Sequence, residues 1–308
     1  MSEYDDYPAN EEEIIREQMG QGLDYEENEE MTVNFWKTKV HGANIGIHQA
    51  EQYRASSRKF NRGLDIRGEV IFKPKEKRKD GPIKYVVAFN SDFWDVEESS
   101  YLKKHAPSDF YKRISIRLFT ELKKGAGGIW AGSLEQSLTD SILNSMTQSK
   151  SLPVFLLDIP RYDYLIKLSR GKTLAGHRYC FSMIPDKNWI YPMPDKVRFF
   201  SIESKPIAIG LDFKVIERGG VNEDKIVAEV DEKTMDVGGK WVITITDPTL
   251  QKNHVFKQVL VLFSCLCKYL DDVNQKIEKL FKLTGEQGNL LDIIKEELSY
   301  SKDPRHLK

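Results

Sequence analysis

Four groups of residues in this 308-residue chain have types and spacings that could do chemistry. The first is a carboxylate pair with a lysine: Asp212 is followed 19 residues later by Asp231, and Lys233 lies two beyond it. That order loosely echoes nucleases that hold a divalent metal between two carboxylates. Strand alternation, however, puts Asp231 and Lys233 on one face, where a solvent-facing ion pair explains them equally well. The second is Gly171-Lys172-Thr173, which ends like a phosphate-cradling loop. The motif's first glycine would fall at Ile166, so nucleotide hydrolysis is not expected, and Gly125-Ala126-Gly127-Gly128 lacks the third glycine of a dinucleotide fingerprint. The third is Cys265 and Cys267, two apart in an apolar run, which on a helix point to different faces and read as packing. The six histidines form no metal-binding spacing, so no metal and no cofactor is expected. An enzyme stays open without being favoured, a metal-dependent nuclease coming first.

The fourth group carries most of the reading. Tyr53, Arg54, Arg58, Lys59, Phe60 and Arg62 interleave aromatic and basic side chains, a combination that stacks nucleobases while neutralising phosphates. Lys73, Lys75, Lys77, Arg78 and Lys79 form a second basic block ending in an Asp80-Gly81 turn, and Lys123 with Lys124 a third. These blocks sit in a segment, 32–126, that holds 20 bases against 11 acids. Residues 1–31 hold 12 acids and one base, Arg16, although the whole chain nets only −1. A segment so acidic and so poor in apolar residues reads as a disordered tail. The remainder is nearly balanced.

The elements that must position these groups read mainly as strands. Alternating or short apolar runs between turn signals recur at 32–40, 64–73, 83–90, 153–158, 162–168, 178–184, 197–203, 207–217, 225–232 and 240–246. The fold class is mainly β (α+β), an antiparallel barrel or sandwich with an apolar C-terminal helix and a short C-terminal helical hairpin. Capping boxes at Asp95/Glu98 and Ser133/Gln136 predict helices over 96–105 and 134–148, while 113–122 fits strand and helix equally. One apolar stripe predicts a helix over 254–282, unpolar all round from Val259 to Cys267 and therefore wanting burial on every side. The organisation expected is an acidic tail (1–31), a β-rich domain (32–282) and a short C-terminal helix and tail (283–308). Three cysteines, no apolar leader and no run of 18 apolar residues point to a reducing, intracellular setting, cytoplasmic or nuclear, with no membrane span.

The order of strand 207–217, a Gly219-Gly220 turn, Ile226-Val227-Ala228-Glu229-Val230, then Lys240-Trp241-Val242-Ile243-Thr244-Ile245 and an apolar helix from Val259 resembles the tubby-like superfamily of tubby, LURP-one-related and phospholipid scramblase proteins. The resemblance covers 207–272. It implies a strand barrel threaded by an apolar helix and, in the tubby branch, a basic surface that holds phosphoinositides; no binding residue carries over by position. Three functions are therefore expected in order. The first is a non-enzymatic binder of single-stranded DNA or RNA, of a viral or phage-like kind, with its basic region autoregulated by the acidic tail, which also serves an unknown protein partner. The second is a tubby-like anionic-lipid or adaptor module. The third is an assembly subunit, with the C-terminal helices offering a homo-oligomeric contact.

Overall fold

The computed structural model describes residues 30–35, 64–73, 83–90, 113–120, 129–173, 176–185, 197–205, 210–219, 224–233 and 239–287. Twelve strands alternate their apolar side chains inward and pair with their sequence neighbours. They are β1 (Glu30–Phe35), β2 (Leu64–Lys73), β3 (Ile83–Asn90), β4 (Ser115–Thr120), β5 (Ile129–Ser137) and β6 (Val154–Asp158). They continue as β7 (Ile166–Gly171), β8 (Arg178–Met183), β9 (Arg198–Ser204), β10 (Phe213–Arg218), β11 (Lys225–Glu232) and β12 (Lys240–Ile245). All pairings are antiparallel, and β1 closes on β12 with Glu30 opposite Thr244 and Asn34 opposite Lys240. The sheet is thus a closed barrel rather than a sandwich. Closure leaves no edge strand unpaired, which is how a meander this long avoids exposing backbone donors and acceptors.

Period-2 alternation fills the lumen. Met31, Val33 and Phe35 of β1, Trp241, Ile243 and Ile245 of β12, and Tyr179, Phe181 and Met183 of β8 are all buried. The first two helices after β12 are α2 (Pro248–Gln251), whose N-cap Asp247 accepts from the backbone N–H of Thr249 and Leu250, and α3 (His254–Cys267), capped by Asn253. All 14 residues of α3 are buried. Its Phe256 packs on Phe181 and Phe200 and its Phe263 on Tyr179 and Phe213, while other contacts reach β1, β4, β5 and β12. A helix touched from that many strands runs inside the barrel and supplies its core. Strand order then defines two ends, the α2 end where α3 begins and the end where it finishes.

Several local expectations change. Residues 134–136 continue β5 between β4 and β6, so Ser133 and Gln136 are not a capping box; helix α1 (Leu138–Gln148) starts after Ser137, with no side-chain cap. Sheet pairing on both sides of Leu134 outweighs the helical pattern. Of the ambiguous 113–122 stretch, Ser115–Thr120 form strand β4. The 254–282 stripe divides at a turn, Lys268–Tyr269, into α3 and α4 (Leu270–Gln287), and α4 packs outside against α1. β1 opens at Glu30, inside the segment counted with the acidic tail. The expected helix at 96–105 lies outside the described residues, as do 1–29 and, of the expected C-terminal helix and tail, everything past 287.

Gly239 precedes β12 at φ +86, and its carbonyl accepts from the N–H of Phe35 at 3.0 Å. A Cβ there would stand 2.9 Å from the Trp241 ring, so both the backbone and the packing require glycine.

Candidate anion-binding end of the barrel

Of the thirteen expected binding residues, Lys73 is described. Tyr53, Arg54, Arg58, Lys59, Phe60, Arg62, Lys75, Lys77, Arg78, Lys79, Lys123 and Lys124 lie outside the described residues. Lys73 is the last residue of β2, and its register partner is Glu30, the first residue of β1. Their side chains form an exposed ion pair. Such a pair contributes well under about 1 kcal/mol, so its value lies in position. The pair marks the point where the acidic segment joins the barrel and where the chain leaves for Lys75–Lys79.

The strand ends place the blocks further. β2 ends and β3 begins at the α2 end, and so do the end of β4 (Thr120) and the start of β5 (Ile129), which bracket Lys123 and Lys124. Both connections therefore start and finish at one rim. The Arg54–Arg62 block falls between Phe35 and Leu64, at the opposite end. Two of the three blocks therefore leave from a common end and the third does not.

On the β8–β11 wall, cations are matched by carboxylates. Arg198 makes two 2.6 Å bonds to Glu217 and lies 5.3 Å from the Phe200 ring centroid. Arg178 and Arg218 both hold Glu203, and Arg218 also pairs Asp224. Burial would raise the Glu203 pKa, but these cations outweigh it and lower it. Lys225 bonds Asp247 at 2.6 Å. Burial likewise opposes ionisation of Asp247, but Lys225, the Thr249 hydroxyl and two backbone N–H groups hold its carboxyl down at about 2.

The nuclease-like arrangement is not assembled. Asp212 accepts from the backbone N–H of Glu232 at 2.8 Å, while Asp231 and Glu229 hold Lys205 at 2.8 and 3.1 Å. Among the described residues no group of three or more His, Cys, Asp or Glu could hold a metal ion. Gly171 ends β7 and β8 follows it without an intervening helix, so Lys172-Thr173 has no helix N-terminus on which to seat a phosphate. Cys265 and Cys267 are buried in α3, where desolvation raises both thiols; Cys180 is exposed on β8.

Two polar clusters carry no sequence motif. On β4 and β5, Glu135 is 6% exposed and held by Arg117 at 3.0 Å and Arg113 at 3.3 Å. Burial lowers the Arg117 pKa, and Glu135 opposes that shift. At the far end, Arg170 and Ser151 bond Asn274 of α4 at 2.5 and 3.2 Å, with His177 and buried Tyr179 beside them. Burial, then Arg170, lowers the His177 pKa, with Asp271 opposing. Arg113 and Arg117, four apart and so on one face of an alternating strand, were the available signal for the first cluster; nothing local announces the second.

No helix among the described residues is long and apolar enough to cross a membrane. Comparison of the chain with family models, with curated proteins and with solved structures finds no match.

Proposed function

We propose that the chain is a non-enzymatic polyanion-binding module whose basic connections at the α2 end meet phosphate-bearing ligands while its acidic N-terminal segment competes for them. The observation that carries this reading is the Glu30–Lys73 pairing. It tethers a segment with 11 acids and one base, 1–29, directly beside the strand that leads to Lys75, Lys77, Arg78 and Lys79. A tether this short gives an effective concentration on the order of millimolar, enough to suppress weak ligands and leave only those dense in phosphate.

Single-stranded nucleic acid is one ligand of this chemistry, supported by Tyr53 and Phe60 among the bases of the first block. An anionic membrane surface is a second, supported by a closed barrel around the buried helix α3, the arrangement that the tubby-like resemblance implies. The test removes residues 1–29 and leaves Glu30 in β1. Binding of a single-stranded oligonucleotide and of phosphoinositide vesicles is then measured at low and high salt. Affinity for at least one should rise roughly tenfold at low salt and less at high salt. Unchanged affinity for both would refute the proposal.

A further inference from the structure

At the end where α3 finishes, a cationic side chain is half-buried among neutral partners. Alternation on β7 turns Ile166 and Leu168 into the lumen and carries Arg170 the same way, opposite Tyr179 on β8. The Arg170 Nη1 donates to Asn274 Oδ1 at 2.5 Å and to the Ser151 carbonyl at 3.3 Å. Its Nε is buried and meets no acceptor, and among the described residues Nη2 has no hydrogen bond or ion pair. The Nε–Nη2 edge is one with which a guanidinium grips a carboxylate or phosphate in two parallel bonds. Arg198 shows its use in this chain: there Nε and Nη2 each bond Glu217 at 2.6 Å. Arg170 presents the same fork to no carboxylate among the described residues.

Further groups converge on this fork. Lys150 Nζ donates to the Thr173 carbonyl at 3.0 Å, which ties the turn after α1 to the β7–β8 connection, and Lys172 is exposed on that connection. Among the described residues neither lysine has an ion pair. The Tyr179 hydroxyl, 0% exposed, lies near Asn274 without meeting it in hydrogen-bond geometry. A buried hydroxyl and a buried guanidinium N–H without acceptors each cost free energy that an oxygen-rich ligand would recover. The local field is positive: burial first, then Arg170 and also Lys150, hold the His177 pKa below its ordinary value, with Asp271 of α4 opposing. Arg170, Lys150 and Lys172 against Asp271 leave a formal charge of about +2, which matches a phosphate group, roughly −2 near neutral pH, better than a carboxylate.

We infer that the chain holds a phosphate dianion at this end, gripped by the Nε–Nη2 edge of Arg170 and neutralised by Lys150 and Lys172, with Asn274 of α4 fixing the guanidinium. The Gly171-Lys172-Thr173 connection then meets phosphate through side chains, without the helix N-terminus that a nucleotide loop requires. The site lies at the opposite end from the Glu30–Lys73 pair and is independent of the polyanion reading. The test uses the full chain with inorganic phosphate or phenyl phosphate as probe. Titration calorimetry and the rise in Tm are measured against chloride at equal ionic strength.

Phosphate should bind saturably and raise Tm where chloride does not. Arg170→Lys keeps the charge but loses the fork, and should weaken binding roughly tenfold. Lys150→Gln should weaken it several-fold, and it serves as the second variant should substitution of Arg170 disturb the docking of α4. Lys167→Gln removes an equal charge from β7 on its outer face, where Lys167 pairs with Asp140, and should leave binding unchanged. Tighter binding of phenyl phosphate identifies a monoester as the ligand and the reverse order a free ion; either supports the site. No saturable binding of either probe, a Tm rise matched by chloride, or equal losses in Lys167→Gln and Arg170→Lys would overturn the inference.

Discussion

Gln258 sits on α3 inside the barrel, 0% exposed, and among the described residues neither its Oε1 nor its Nε2 has a hydrogen-bond partner. Its neighbours along the helix, Val255, Val259 and Leu262, are apolar and equally buried. A buried amide left unpaired costs about 1 to 3 kcal/mol relative to water. Gln258→Met keeps the length and flexibility of the side chain and removes the polar group, so the usual penalty for changing core volume should stay small. The variant should therefore be more stable than the parent by about 1 to 3 kcal/mol. In a barrel of this size that corresponds to a Tm higher by about 2 to 10 °C. The assay is urea unfolding followed by tryptophan fluorescence, with a higher midpoint at unchanged slope. Destabilisation by more than about 1 kcal/mol would mean that the amide is satisfied in the folded protein, and the reasoning would fail.

Two further predictions concern single ionisable groups. Asp247 caps α2 and holds Lys225, so Asp247→Ala should cost about 1 to 2 kcal/mol at neutral pH. Because its folded pKa, about 2, lies below the ordinary 3.8, that contribution is present above the ordinary value and is lost as pH falls toward 2; parent and variant should converge there in acid-unfolding curves. His177 has a folded pKa below its ordinary 6.5, so the unfolded chain binds the extra proton. Parent stability should fall as pH drops below 6.5, and His177→Gln should have a shallower slope in that window; equal slopes would contradict the burial argument.

How much was legible differs by element. β2 and β3 are bounded as their alternation predicts, 64–73 and 83–90, because each residue of a half-buried strand announces its face by its polarity. β5 was not legible: Leu134 and Leu138 share a helical spacing, yet Leu134 points into the lumen from a strand and Leu138 begins a helix. Two neighbouring strands, β4 and β6, decide between these states, and no local window contains them. For the site, the basic blocks were visible as composition, but their distribution over two ends of a barrel was not. The Arg170 fork had no signal as a site, since Lys150, Arg170 and Asn274 are far apart in sequence and, taken singly, resemble solvated surface residues.

The amino-acid sequence by itself determined the charge asymmetry between 1–31 and 32–126, the β-rich class and the inward-facing residues of most strands, because these depend on residue type and on a period of two. Closure of twelve strands, the meeting of Glu30 with Lys73, and the gathering of Lys150, Arg170 and Asn274 at one end were decided only in three dimensions. Strand register is the reason. It is set by pairing between segments distant along the chain, and it fixes which strand ends share an end of the barrel.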